Sequence, residues 1–255
     1  MPRPWGASAP TIRHRIEYRV ASMQLTQLAP DLWIAEQPLR FAGLPLGARM
    51  TVVRLRDGKL LLHSPIAWSA ALAAQLVALG EPAFIIAPNR FHHLFVGAWL
   101  TAYPHCQLHV APSLESKRPD LSPTSVLGRS QNLDFSDELH HQVLHGFPFT
   151  NEVVFFHPAS ATMIATDMVF NIGPRHSAMT RLFFRMNGAY GRPAVTVLER
   201  LLIKDRDAFH RDLNNVLAWP IDRLIMAHGD IVESDGLATL NRAYQFLLRK
   251  ALASA

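Results

Sequence analysis

The stretch "PAFIIAPNRFHHLFVG" (82–97) runs a short apolar segment straight into two adjacent histidines. The run 82–88 is bounded by prolines and shows no polar face, the pattern of a strand buried on both sides. Neighbouring imidazoles seldom both suit a core, because each ring needs its own hydrogen-bond partner once buried. A pair at the exit of a buried strand therefore means that one ring faces solvent, or that both face something that takes nitrogen ligands.

Outward from this point the chain alternates short apolar runs with turn chemistry. Residues 31–39 and 48–65 read as strands, the second folded back on itself at Asp57-Gly58, a strong hairpin signal. Residues 69–80 have helical spacing with Ser69 as N-cap and Gly80 as stop. After the buried strand, 94–104 reads as helix and 106–112 as strand. Residues 113–142 are polar and turn-rich, a surface excursion, and 141–172 gives three more strands, the middle pair joined by the turn at 157–162. Residues 173–192 read as loop, 195–203 and 207–219 as helices, 222–230 as a strand ending in His228, and 235–252 as an amphipathic helix. Hairpins early and strand–helix alternation later predict an α/β protein with helices covering its sheets. Trp33, Trp68, Phe155, Phe156 and Phe170 fall on strand or helix faces and are expected in the core.

Composition narrows the function. The chain has 255 residues, 49% of them hydrophobic, and a mean hydropathy of +0.08. No apolar run approaches the ~18–20 residues that span a bilayer, so no membrane partner is expected. The one cysteine, Cys106, excludes an internal disulfide and fits a reducing, cytoplasmic setting and a packing role. A net charge of +5 comes from scattered arginines without a basic run, which disfavours nucleic acid as the partner. Residues 1–22 carry four arginines and no apolar stretch of signal-peptide type, and read as a tail or a start-site extension ahead of one domain over 23–255.

The histidines at strand exits carry the chemistry. His92 and His93 follow "FIIAP", His145 follows "QVL", Asp167 follows "MIAT" and His228 follows "RLIMA". In layered α/β proteins, ligand sites gather where several strands deliver loops to one sheet edge. His63, closing "LLLH", is also placed to face such an edge.

The order of these pieces, from "APNRFHHLFVGAW" through "NEVVFFHPASATMIATD" and "TDMVF" to "AHGD", resembles the metallo-β-lactamase-like hydrolase superfamily, and more closely an uncharacterised branch of it, a domain of unknown function. The resemblance runs from about Leu25 to Leu248 and implies a four-layer αβ/βα sandwich of two mixed sheets covered by helices. The superfamily's H-x-H-x-D-H motif, laid over 88–93, falls on Pro88, Arg90, His92 and His93, so its first two histidines are missing and its aspartate is replaced by His92. The resemblance thus implies that one of the two usual metal sites is lost. The other would persist as His92, His93 and His228 with Asp167, holding one divalent metal: zinc first, iron or manganese as alternatives. His145 lies near the position of the superfamily's loop histidine, although an ungapped overlay puts Pro148 there. Asn89 is a candidate substrate donor and Glu152 a candidate general base. The function so implied is hydrolysis of an ester, thioester, amide or phosphodiester of a small molecule by a metal-activated water. The alternative is a non-catalytic binding module on a degenerate hydrolase fold. A third reading, nucleic-acid processing, rests on the loop arginines Arg175, Arg181, Arg185 and Arg192. The segment 181–192, "RLFFRMNGAYGR", reads either as a flap over an anionic ligand or as a tethered loop or oligomer contact.

Overall fold

The computed structural model describes residues 23–129 and 133–248; the expected tail 1–22 and the last turn of the expected C-terminal helix lie outside the described residues. The elements run β1 (Thr26–Ala29), β2 (Leu32–Gln37), β3 (Arg40–Phe41), β4 (Leu44–Pro45), β5 (Ala48–Arg54), β6 (Lys59–His63), α1 (Ala70–Val77), β7 (Glu81–Ala87), α2 (Val96–Ala102), β8 (Gln107–Val110), α3 (Leu114–Lys117), β9 (Ser125–Val126), β10 (His140–Val143), β11 (Val153–His157), β12 (Thr162–Ile164), α4 (Ala178–Met186), α5 (Val197–Leu202), α6 (Arg206–Leu217), β13 (Arg223–Ile225) and α7 (Gly236–Ala243).

Two mixed sheets result. The larger has the order β1-β2-β5-β6-β7-β8-β9, antiparallel as far as β6 and parallel beyond it. The smaller has the order β10-β11-β12-β13, with only β12 and β13 parallel. Between β5 and β6 the chain turns at Gly58, whose φ of +85° explains the glycine there.

Strand alternation stacks the layers. Leu60 and Leu62 of β6 face outward onto Leu72 and Leu76 of α1 and Trp99 of α2, while Leu61 between them faces inward. Inward-facing Leu61, Phe84 and Ile86 meet Val153, Phe155, Ile164 and Ile225 of the smaller sheet. On the far side, Val154, Phe156, Met163 and Leu224 pack on Phe209, Leu213, Val216, Leu240 and Tyr244 of α6, α7 and the turn after it. The period-2 pattern thus makes three apolar layers between four layers of structure, α/β/β/α. Ser69 Oγ accepts from Leu72 N at 3.2 Å, as its N-cap position requires. Cys106 is buried, with Sγ donating to Pro82 O at 3.1 Å.

Several expectations change. The segment 113–142 is no surface excursion: Leu127, Phe135 and Leu139 are fully buried, and Phe135 meets Phe84 edge-on at 5.4 Å. Its apolar anchors are isolated among polar residues, so no period betrays them. The expected loop 173–192 contains α4, capped by Ser177, whose Oγ accepts from Thr180 N. Its stripe of apolar residues points to solvent, which hid the helix from a search for a buried face. Residues 170–172 form isolated bridges to Ala194, Gly229 and Tyr190 instead of a full strand. Trp68, expected in the core, is exposed.

The first turn of α5 yields a test. Glu199 closes a capping box there, its Oε2 accepting from Thr196 N at 3.0 Å and from Thr196 Oγ1 at 2.9 Å. Burial pushes its carboxyl up to about 8, from the ordinary value of 4.5. Between those values the unfolded chain releases a proton that the folded one keeps, so this group's contribution is full below about pH 4.5 and is lost as pH rises to about 8. Glu199→Gln keeps an acceptor for Thr196 and should gain stability over wild type across that window, by roughly 1–3 kcal/mol at its upper end. Urea midpoints at the two ends of the window measure the difference; one that does not change with pH would refute the account.

Candidate metal centre

Four strand exits meet at one edge of the sandwich. β6 delivers Ser64, β7 delivers Asn89 to His93, β12 delivers Thr166 and Asp167, and β13 delivers His228. Because β6 and β7 run parallel, as do β12 and β13, each pair ends on the same side. The loop after β7 is set by Asn89, whose Oδ1 accepts from Phe91 N at 2.7 Å and His92 N at 2.9 Å. This side-chain turn lifts His92 off the strand direction.

His92, Asp167 and His228 converge, with one ligand atom of each within 4.8 Å of the others. His92 Nε2 lies 3.3 Å from Asp167 Oδ2, and His228 Nε2 lies 3.4 Å from Asp167 Oδ1. Both rings are anchored from behind. His228 Nδ1 donates to Gly47 O at 2.8 Å, and His92 Nδ1 is hydrogen bonded to Ser64 Oγ at 2.7 Å. Since a carbonyl can only accept, the proton of a neutral His228 sits on Nδ1 and leaves Nε2 as a free lone pair. Phe170 stacks on His228, with planes 6° apart, and closes the site's apolar wall.

Asp167 is held in place on every side. Asn89 Nδ2 donates to Oδ2 at 2.7 Å and to Thr166 Oγ1 at 2.9 Å. Glu152 Oε1 and Oε2 accept from Thr166 N at 2.6 Å and Asp167 N at 2.9 Å. Burial opposes the charge of Asp167, but the two imidazoles override it and hold the carboxyl well below the usual range. Burial likewise opposes protonation of His92, yet the Asp167 carboxylate beside it raises the imidazole above its ordinary value. Burial and the Asp167 charge push Glu152 up to about 7.

The remaining expected site residues lie elsewhere. His93, placed among the ligands by the motif overlay, turns away from the cluster: its Nδ1 accepts from Arg118 Nη1 at 2.8 Å. Burial, with the charges of Lys117 and Arg118, lowers it to about 4. Adjacent residues diverge here, and only His92 reaches Asp167. His145 is on the surface, paired with Asp212 at 2.8 Å. His63 is buried against Phe155, ring centroids 5.3 Å apart, and burial with the nearby His92 lowers it to about 3. Glu152 spends both oxygens on backbone amides. Asn89 spends both amide hydrogens and both oxygen lone pairs on the loop and on Asp167, so it has no capacity left for a substrate. Both position Asp167.

Other contributors were not anticipated. Ser64 holds His92 from a left-handed backbone, φ +54°, a conformation that non-glycine residues adopt mainly under local constraint. Gly47 offers only a carbonyl, and no sequence signal marks it. Arg49, buried in β5, donates to Met226 O and to Gly229 O and ties down the loop that carries His228. Gly229 has φ +93°, and a Cβ there would sit 2.2 Å from Asn171 O, so only glycine fits after His228.

Two imidazoles and a carboxylate, each imidazole oriented through its other nitrogen, are a donor set for zinc, iron or manganese, and the residues present fit one such ion. Among the described residues this is the one such cluster of three or more potential ligands.

The family model for a domain of unknown function (DUF4336) matches residues 30–185, a span that includes Asn89, His92, Glu152 and Asp167 and ends before His228. No curated protein matches the chain. Among solved structures, the chain is similar to a metallo-β-lactamase from Erythrobacter litoralis, with TM-score 0.61 and 15% identity over 92% of this chain and 99% of that one. It is similar to the FIM-1 metallo-β-lactamase of Pseudomonas aeruginosa in its mono-zinc form, with TM-score 0.56 and 11% identity over 90% and 96%. A metal-soaked Flv1 flavodiiron core from Synechocystis sp. PCC6803 overlays with TM-score 0.59 and 15% identity, over 89% of this chain and 61% of that one. The fold is that of the metallo-β-lactamases.

Removing the amide that fixes Asp167 should be expensive. Asn89→Ala leaves two backbone amides, Thr166 Oγ1 and Asp167 short of a partner in a buried setting, and is expected to cost about 2–4 kcal/mol. Chemical denaturation would measure it; a loss under about 0.5 kcal/mol, the range of ordinary surface substitutions, would show that the loop does not depend on Asn89.

Proposed function

The chain belongs to the DUF4336 family and carries the metallo-β-lactamase fold, and from these premises we propose that it is a metal-dependent hydrolase with a single, non-standard metal site. One observation carries the reading: the Nε2 atoms of His92 and His228 both turn onto Asp167 while Ser64 and Gly47 hold the opposite ring nitrogens. His92, Asp167 and His228 would bind the ion. When bound, a divalent ion lowers the pKa of its water toward neutrality and polarises a carbonyl or phosphoryl oxygen, the chemistry that cleaves an ester, thioester, amide or phosphodiester.

The chain's own residues supply order. Asn89 and the Glu152-bound amides fix the Asp167 carboxylate in one orientation. Gly47 fixes the tautomer of His228, and Phe170 screens one side of that ring from solvent. Zinc is the first expectation for the ion, with iron or manganese as alternatives, and the substrate is a small molecule. A mono-zinc form of a similarly folded β-lactamase and a metal-soaked flavodiiron core are consistent with this range.

A second reading, a binding module without catalysis, is favoured by Pro88 and Arg90 at the positions of the motif's first two histidines. Arg90 Nη1 instead donates to Pro148 O at 3.0 Å.

Elemental mass spectrometry of protein purified without an affinity tag separates these readings. About one zinc, iron or manganese per chain is expected in wild type and in His93→Ala. It should be lost in His92→Ala, Asp167→Asn and His228→Ala. Hydrolysis of p-nitrophenyl esters or bis-p-nitrophenyl phosphate, abolished by chelation and restored by the ion, would complete the case. A folded wild type that takes up no metal even on reconstitution sinks the hydrolase reading, and metal without hydrolysis leaves the binding module.

A further inference from the structure

One part of the surface is unlike the rest. Eleven large apolar side chains are exposed among the described residues, and six of them fall between 179 and 201. Met179, Leu182 and Met186 are 48%, 59% and 76% exposed and recur at i, i+3 and i+7 of α4, opposite the buried Thr180 and Phe184. Val197, Leu198 and Leu201 of α5 add 47%, 50% and 66%. The two helices adjoin, since Asn187 O after α4 accepts from Val197 N at 3.0 Å. The scaffold beneath is fixed: Thr180 Oγ1 donates to Pro45 O, and Phe184 packs in a cluster with Phe170 and Ile172. These side chains are therefore displayed by ordered structure, and so large an apolar display calls for something to cover it.

Charge indicates what covers it. Between residues 175 and 206 seven basic residues stand against Glu199 and Asp205, a surplus equal to the +5 of the entire chain. Arg181, Arg185, Arg192 and Arg200 form no ion pair with any described residue. Arg192 and Arg200, with Arg242, also line a cavity of about 460 Å³ whose other walls include Thr239, Gln245 and Phe246 and no carboxylate. The Arg200 guanidinium lies 4.6 Å from the Phe246 ring centroid, and its Nε donates to Val195 O at 3.2 Å.

We propose that the α4–α5 face docks this protein on the surface of an anionic lipid bilayer. Apolar side chains on short helices, flanked by arginines, are the elements of interfacial binding: the former enter the headgroup–acyl boundary, the latter pair with lipid phosphate. The cavity beside the face has room for one headgroup phosphate. A second copy of the chain is a poorer occupant, because a twofold contact would set unpaired arginines against arginines. A protein groove would have to match side chains that stand this far out of the surface, whereas a bilayer yields to them. Among the described residues no helix is long and apolar enough to cross a membrane, and surface docking needs none.

Vesicle sedimentation of the full chain tests the proposal. It should pellet with vesicles of phosphatidylcholine mixed with phosphatidylglycerol, weakly or not at all with phosphatidylcholine alone, and less as salt is raised. Leu182→Asp with Met186→Asp should abolish pelleting. Arg181→Gln with Arg185→Gln should weaken it by about thirtyfold. These four side chains are not part of the buried core, so thermal midpoints should be unchanged; if the aspartate pair lowers its midpoint, the arginine pair decides alone. Failure of wild type to bind the mixed vesicles overturns the proposal, as does undiminished binding by the stably folded aspartate pair. A concentration-dependent dimer of wild type, absent in that pair by sedimentation equilibrium, also overturns it and assigns the face to self-association.

Discussion

The carboxylate of Asp167 is the constraint around which the functional edge of this protein is organised. The Asp167 side chain is only 13% exposed, and a carboxylate so largely withdrawn from water is tolerated only if its lone pairs have donors or cations nearby. Asn89 satisfies one oxygen, the His92 and His228 rings face the two oxygens in turn, and Glu152 holds the amide of Asp167 itself. These partners come from the exit of β7, the entry to β11 and the exit of β13, so the carboxylate stitches the two sheets together where their apolar interior ends. Loss of any one partner leaves charge without compensation in a poorly solvated place.

This arrangement explains why unusual backbone gathers nearby. Ser64 and Gly229 both adopt positive φ, and each lets a strand end bend sharply enough to bring its neighbourhood onto the cluster. Buried Arg49 adds a second ion pair, with the exposed Glu36, and is anchored to the carbonyls of Met226 and Gly229. A rigid frame of this kind keeps donor atoms close to one another without help from a ligand, the preorganisation that a metal site requires.

Much of the layering was legible along the chain. The continuous apolar runs in "KLLLH" and "VVFFH", the Asp57-Gly58 turn and the Ser69 cap each act over a few residues, and each produced the expected element. The places where reading failed share a cause. Phe135 and Leu139 are buried by distant partners, not by a local period, so nothing within 113–142 announces them. The apolar stripe of α4 faces solvent, so the rule that apolar faces are buried worked against its recognition. His93 shows the limit at the site: spacing could nominate two adjacent histidines, but the Asn89 turn decides which ring reaches Asp167 and which is left to Arg118.

By itself the sequence determined most strands, most helices, and the set of strand-exit residues from which a site could be built, because periodicity, turn propensity and donor chemistry are local properties. Tertiary structure decided which candidates meet. It chose His92 over His93, made Asn89 and Glu152 supports of Asp167, sent His145 to the surface, and supplied Ser64 Oγ and the Gly47 carbonyl as ring anchors. The physical reason is that coordination and hydrogen bonding depend on the directions of lone pairs within a few ångströms, and those directions are set only when strands distant in the chain pack side by side.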